Sequence, residues 1–283
     1  MTTQEGGHAR AARVSFRHQP GTETDATLLV QRVQVLDVQD RAPGVIRLRQ
    51  WGLAAAVPAP GDVALDVGCG TGTVARMLAD LVGPTGRVTG IEPDEGMRRE
   101  ALRRSTGTSV PIRFVEGLAA ALPVADSSVD VVWCERVLQH LEDPQAAVTE
   151  VARVLKPGGR AVLLDSDHAS WMLADVAERV EDMVKRTFLA GTPNGRAARG
   201  IPRQLLTAGL IMDEDVAGAA LVLPQQVQRK VSLVRVVADQ LVAEGSLSAD
   251  EAAAALASIA RAAEQGVGLS AVTIYAFVGR RPA

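Results

Sequence analysis

Val63-Ala64-Leu65-Asp66-Val67-Gly68-Cys69-Gly70-Thr71-Gly72 reads as a buried strand that ends beside an acidic residue and runs into a glycine loop opening a helix. Glycines at such a turn let the backbone come close to a ligand and permit positive φ. The spacing is Gly-x-Gly-x-Gly, whereas the dinucleotide fingerprint is Gly-x-Gly-x-x-Gly, which argues against a nicotinamide dehydrogenase. A pyrophosphate would also gain nothing from Asp66 beside it. An acidic residue at that turn suits a ligand with a positively charged amino group.

Glu92 follows at the end of the next strand, in Val88-Thr89-Gly90-Ile91-Glu92-Pro93. A carboxylate there can accept hydrogen bonds from both hydroxyls of a ribose. An adenosine-like, cationic ligand without phosphate describes S-adenosylmethionine, and the loop, Glu92 and the strand alternation together point to it as cofactor.

Working outward, strands are expected at 63–67, 87–92, 112–115, 129–134 and 160–165, each followed by a helical stretch except where a loop intervenes after 115. Short apolar runs such as Val129-Asp130-Val131-Val132-Trp133 are what strands buried on both faces look like, and alternation with helices implies a parallel sheet. Two further strands, 216–223 and 271–278, can extend it to seven. The expected fold is therefore α/β: a doubly wound, mostly parallel seven-stranded sheet with N-terminal helices and a helical insertion after the fifth strand. Residues 1–57 are read as an arm and capping helices, 58–166 as the cofactor core, and 167–283 as a lid for substrate recognition plus the last strands. Apolar residues recur at helical spacing over 26–57, broken at Ala42-Pro43-Gly44; residues 1–25 have no periodicity.

Composition narrows the function. The chain has 283 residues, 30 Lys+Arg against 33 Asp+Glu and a formal net charge of −3, which gives no general pull toward nucleic acid or an anionic membrane. No apolar run reaches the roughly 18 residues of a membrane span, and residues 1–30 lack a signal-peptide pattern. Two cysteines do not make a disulfide framework, so a cytoplasmic location is expected. The four histidines and two cysteines are scattered without ligand spacing, so no metal is expected.

Over about 60–166 the chain resembles the class I methyltransferases, in the group that includes ubiquinone/menaquinone C-methyltransferases and bacterial natural-product enzymes. The resemblance rests on the glycine loop, on Arg113-Phe114-Val115-Glu116-Gly117 with Leu122-Pro123, on Val137-Leu138-Gln139-His140-Leu141 before Asp143-Pro144, and on Leu155-Lys156-Pro157-Gly158-Gly159. It implies that Asp66, Gly68, Cys69, Gly70 and Gly72 hold the methionine part of the cofactor, that Glu92 holds the ribose, and that the backbone at Cys134 meets the methionine amino group. Pro93, Leu118 and Ala119 would line the adenine. Where relatives carry Gly-Asp-Ala, this chain has Gly117-Leu118-Ala119, so an acceptor for the adenine amino group is missing unless Glu116 substitutes.

Methyl transfer is an in-line displacement, so alignment and exclusion of water matter most, and a base is needed only for a protonated nucleophile. His140 is the leading candidate base; the other reading is a histidine packing its helix. By resemblance to sugar O-methyltransferases it would pair with Asp165, which favours oxygen as acceptor over carbon or nitrogen. Asp167 and His168 are further options. Trp171, Met172, Met183 and Phe188 read either as a pocket wall or as lid core, and Arg98, Arg99, Arg103 and Arg104 as a solvated face. The expected partner is a small, fairly hydrophobic molecule of secondary metabolism. A protein that binds the cofactor without methylating is the competing class. The sequence leaves the oligomeric state open.

Overall fold

A computed structural model describes residues 26–108, 110–230 and 232–283. The expected arm at 1–25 lies outside the described residues. Two helices come first, α1 (Ala26–Asp40) and α2 (Pro43–Ala56), separated where Ala42-Pro43-Gly44 interrupts the pattern. The core then alternates as β1 (Val63–Val67), α3 (Thr73–Val82), β2 (Arg87–Ile91), α4 (Glu95–Arg104), β3 (Ile112–Val115), β4 (Val129–Glu135), α5 (Pro144–Val154) and β5 (Leu155–Leu173). After it come α6 (Glu178–Ala190), α7 (Ala197–Thr207), β6 (Ile211–Met212), β7 (Ala217–Val222), α8 (Gln225–Lys230), α9 (Ser232–Ala243), α10 (Ala249–Glu264) and β8 (Ser270–Arg280).

Local chemistry sets these boundaries. Val74, Ala75, Leu78, Ala79 and Val82 put one apolar stripe of α3 into the core. The Asp94 carboxylate caps α4 by accepting from the Met97 N–H, and Asp143 caps α5 by accepting from Ala146 N–H with Pro144 at the first helical position. Ser248 and Glu251 close a reciprocal capping box on α10.

The described strands form one eight-stranded sheet in the order β3-β2-β1-β4-β5-β8-β6, with β7 also paired to β8. The first five are mutually parallel, and β8 runs antiparallel to β5, β6 and β7. The seven expected strands are joined by the two-residue β6, held by Ile211 opposite Arg280 and too short for an alternating pattern to reveal. β5 also runs well past the expected 160–165, because its antiparallel pairing to β8 continues to Leu173 after a break between Asp167 and Met172.

One apolar layer packs α2 and α3 on one face of the sheet around Trp133, and a second packs α5 and α7 on the other around Leu155 and Leu163. A third cluster, built from Trp171, Val184, Leu241 and Leu256, binds α6, α9 and α10 to one another. Among the described residues no helix is long and apolar enough to cross a membrane.

Candidate functional site

Parallel strands leave a crevice at their carboxyl ends, and here it lies over β1, β2 and β4. The Gly68 and Cys69 N–H groups both donate to the Ile91 carbonyl, at 2.8 and 3.0 Å, which ties the glycine loop to the end of β2. Gly68 has φ 69°, and a Cβ there would lie 2.4 Å from Val137 Cγ2, so the position requires glycine on both counts.

Glu92 folds back onto this loop. Its Oε2 accepts from Gly70 N–H and its Oε1 from Asp94 N–H, both at 3.1 Å. Burial raises its pKa to about 6 against the pull of those two donors. The carboxylate is thus oriented beside the loop, where a diol could donate to it.

Asp66 is 3% exposed, and its Oδ2 has no hydrogen-bond partner. Burial and the nearby Glu135 carboxylate push its pKa to about 7, against Arg49 and the Ala75 N–H. A buried carboxylate oxygen with nothing bound to it, at a strand end beside a glycine loop, is what a cationic ligand would satisfy. The residues present therefore fit S-adenosylmethionine. Cys134 stands in register with Val67 across β4 and β1, which places its backbone at the same crevice. Pro93 and Ala119 are half-buried and Leu118 is exposed. Glu116, the possible substitute acceptor, is paired with Arg98 at 3.0 Å and largely exposed.

Several residues around the crevice carry no sequence motif. Arg49 of α2 joins Glu135 at 2.8 Å and Asp40 at 2.7 Å, and Thr73 donates to the same Asp40. Arg49 and Arg136 outweigh the effect of burial and hold Glu135 down at about 2. Arg32 pairs with Asp94 at 2.7 Å, Asp37 with Arg104, and Gln39 with Arg136. These contacts lay α1 across the loop, with Leu36 against Gly70. At 100° per residue Arg32, Asp37 and Asp40 fall on one side of α1, but nothing in their spacing names their partners. The arginines of α4 need correction: Arg98 donates to the Glu92 and Pro93 carbonyls, at 2.8 and 2.7 Å, and Arg104 braces α1, so only Arg99 and Arg103 form a solvated face.

At the far side of the crevice, His140 sits in a 3₁₀ turn, Leu138–His140, instead of the expected helix. Asp165 is fully buried beneath that turn, with Oδ2 accepting from Gln139 N–H at 3.2 Å and Oδ1 from Ser166 N–H at 2.7 Å. Burial raises its pKa to about 7 against those donors. The turn carrying His140 is thus braced by Asp165 through the backbone. Burial lowers the His140 pKa to about 4, helped by His168, Arg136 and Arg32. The His168 ring meets Phe188 edge-on at 5.0 Å, and Phe188 meets Trp171 at 5.1 Å. Asp167 accepts from Arg199. Trp171 belongs to the third apolar cluster, with Met183 and Phe188 packed against it, while Met172 is exposed. Cys69 and Cys134 are free and buried, and burial raises both thiols well above their ordinary value.

Residues 65–163 match the family described as a methyltransferase domain. The match covers about a third of the chain and, with the fold, supports a class I S-adenosylmethionine-dependent methyltransferase. Beyond its limits, the chain is similar to an uncharacterized 37.1 kDa protein in transposon TN4556 of Streptomyces fradiae, 35% identical over 186 residues, covering 61% of this chain and 53% of that one. It is also similar to the demethylmenaquinone methyltransferase of Staphylococcus aureus, 42% identical over 106 residues, covering 38% of this chain and 44% of that one. The chain spans about half the length of the curated relatives it matches. The solved structure of the [4+2]-cyclase SpnF shares the fold, with a TM-score of 0.53 at 23% identity over 84% of this chain and 81% of that one. The methyltransferase domain's cofactor is S-adenosylmethionine, in agreement with the unpartnered Asp66 oxygen.

Proposed function

We propose that this protein transfers the methyl group of S-adenosylmethionine to a small-molecule acceptor, with oxygen favoured over carbon or nitrogen, as part of secondary metabolism. The observation that carries the cofactor half is the Asp66 carboxylate, buried and unpartnered beside a loop that Glu92 shares. Asp66, Gly68, Cys69, Gly70 and Gly72 take the methionine end, Glu92 the ribose, Pro93, Leu118 and Ala119 the adenine, and the Cys134 backbone the amino group. When bound, the cofactor supplies an electrophilic methyl on sulfur. The chain's own groups orient the acceptor and receive its proton, and the cluster of His140, Gln139 and His168 over Asp165 supports oxygen as the atom methylated. The demethylmenaquinone methyltransferase named above supports a small organic acceptor.

Titration calorimetry with S-adenosylmethionine and with its demethylated product measures occupancy. A labelled-methyl assay over phenols, glycosides and amines then measures transfer. Saturable binding with label appearing in a hydroxyl acceptor supports the reading; binding without transfer to any acceptor supports a non-methylating binder instead.

A further inference from the structure

Two buried polar atoms of opposite character stand at the carboxyl ends of β1 and β4 without a hydrogen-bond partner among the described residues. One is the acceptor Asp66 Oδ2 and the other is the donor Arg136 Nε. The Arg136 side chain is only 9% exposed. A buried N–H with nothing to donate to is uncommon and unfavourable, and a ligand oxygen would relieve it.

The surroundings hold Arg136 in this position at some strain. Its φ is 57°, in the left-handed region that a non-glycine residue seldom enters, and such residues cluster at functional sites. Its backbone N–H donates to the Leu164 carbonyl at 2.7 Å, which ties the end of β4 to β5. The guanidinium reaches back to α1: Nη1 donates to the Gln39 side chain, and Nη2 pairs with Glu135 Oε1 at 3.0 Å and lies 3.8 Å from Asp40 Oδ1. Val137, the next residue, is the one that fills the space beside Gly68. Arg136 thus stands between the glycine loop and α1, with Nη1 and Nη2 fixed and Nε without a partner. Asp66 is close by, in register with Trp133, three residues before Arg136.

The other arginines near Asp66 are committed elsewhere. Arg49 donates Nε to Glu135 Oε2 at 2.8 Å, and its Nη2 to Asp40 and Glu135 at 2.7 and 2.8 Å. Arg76 donates Nη1 to the Thr71 carbonyl at 2.8 Å and Nη2 to the Thr73 hydroxyl at 3.1 Å.

An α-amino acid carries its ammonium and its carboxylate on one carbon. A ligand whose ammonium is drawn to Asp66 therefore brings a carboxylate into the same crevice, and that carboxylate needs a donor once water is excluded. We infer that Arg136 binds the α-carboxylate at the methionine end of the cofactor, so that Asp66 and Arg136 together form a receptor for the amino-acid zwitterion. With Nη1 and Nη2 engaged, the contact is one charge-assisted hydrogen bond from Nε, not a bidentate fork. Holding both groups on the α-carbon also fixes the start of the chain that leads to the sulfur. This rests on the reading of the cofactor as S-adenosylmethionine and deepens it.

The test is titration calorimetry on the full chain with three ligands. They are S-adenosylhomocysteine, the 3-aminopropyl thioether of adenosine, which lacks the carboxylate, and the 3-carboxypropyl thioether, which lacks the ammonium. Wild type is expected to bind S-adenosylhomocysteine at least about tenfold more tightly than the aminopropyl compound. In Arg136→Gln that preference should fall to about threefold or less, while the preference over the carboxypropyl compound persists. Asp66→Asn should show the mirror pattern. A merely structural role for Arg136 would weaken all three ligands alike and leave the preference at its wild-type value, and that result overturns the proposal. So does a wild-type protein that binds S-adenosylhomocysteine and the aminopropyl compound equally well. Arg136→Lys keeps a charge beside Glu135 and lacks the Nε–H, so it answers the same question if Arg136→Gln fails to fold; an undiminished preference there also overturns the assignment. Absence of any binding by S-adenosylhomocysteine would fail the cofactor reading itself, whereas binding that ignores the carboxylate fails only the role given to Arg136.

Discussion

A carboxylate with a pKa of about 7 in the fold and about 3.9 in the unfolded chain destabilises the fold as pH rises, because the unfolded chain ionises first. Asp66 is such a group. Below pH ~4 both states hold the proton and the effect vanishes; it grows through pH 4–7 and then levels off. Asp66→Asn is therefore expected to stabilise the ligand-free protein by about 2 kcal/mol at pH 8 and by almost nothing at pH 4, read from urea unfolding at the two pH values. The same variant should bind S-adenosylmethionine at least tenfold more weakly, since an amide cannot neutralise the ligand's charge. Wild-type binding should release a proton near pH 6 and almost none at pH 8.5, a difference measurable by calorimetry in buffers of unlike ionisation heat. His140→Ala should lower turnover more than tenfold while calorimetric affinity for the cofactor stays unchanged. Near-normal turnover would remove His140 from the chemistry. At this scale the sequence was legible where a motif fixes spacing, as at Asp66 and Glu92. It was silent on Gln139, whose amide acquires meaning only when the chain brings His168 from β5 to its other side.

Elements repeat the contrast. β1, β3 and α3 were readable because their apolar residues recur with the strand or helix period and face one core. The turn at Leu138–His140 was not, since three residues cannot display a period, and Gln139 and His140 are placed by the Asp165 carboxylate beneath. Nor was the seating of α1 visible, because ion pairs between distant segments leave no local pattern. Those pairs yield a graded expectation. Arg49→Met would remove the partner that the buried Glu135 shares with Asp40 and leave Glu135 with Arg136 at 3.0 Å, so the expected cost in urea unfolding stays below the about 3–5 kcal/mol of a fully uncompensated buried charge. Arg99→Ala, on the exposed side of α4, should change stability by less than about 0.5 kcal/mol.

On the scale of the whole molecule, α6, α9 and α10 bury their apolar faces on one another and on Trp171 and Leu173 at the end of β5, apart from the two layers on the rest of the sheet. We propose that the cap formed by these helices opens independently of the sheet. Amide hydrogen exchange should then show protection in 178–190, 232–243 and 249–264 falling together, at a lower free energy than in β1 and β4. Uniform protection across cap and sheet would contradict this. The overall architecture was legible from the alternation of strands and helices, whereas the cap's separateness depends on which apolar faces meet.

β8 is an inner strand, with β5 along one edge and both β6 and β7 along the other. During synthesis β6 and β7 leave the ribosome before their only ladder partner exists, and β5 waits some hundred residues for its second neighbour. At about 5–20 residues per second that interval lasts several seconds or more. The glycine loop and Glu92 can assemble on the parallel strands within it. The far side of β5 stays unpaired until residues 270–280 have been made, so the glycine loop and Glu92 can come together on the nascent chain before the sheet around β5 is complete.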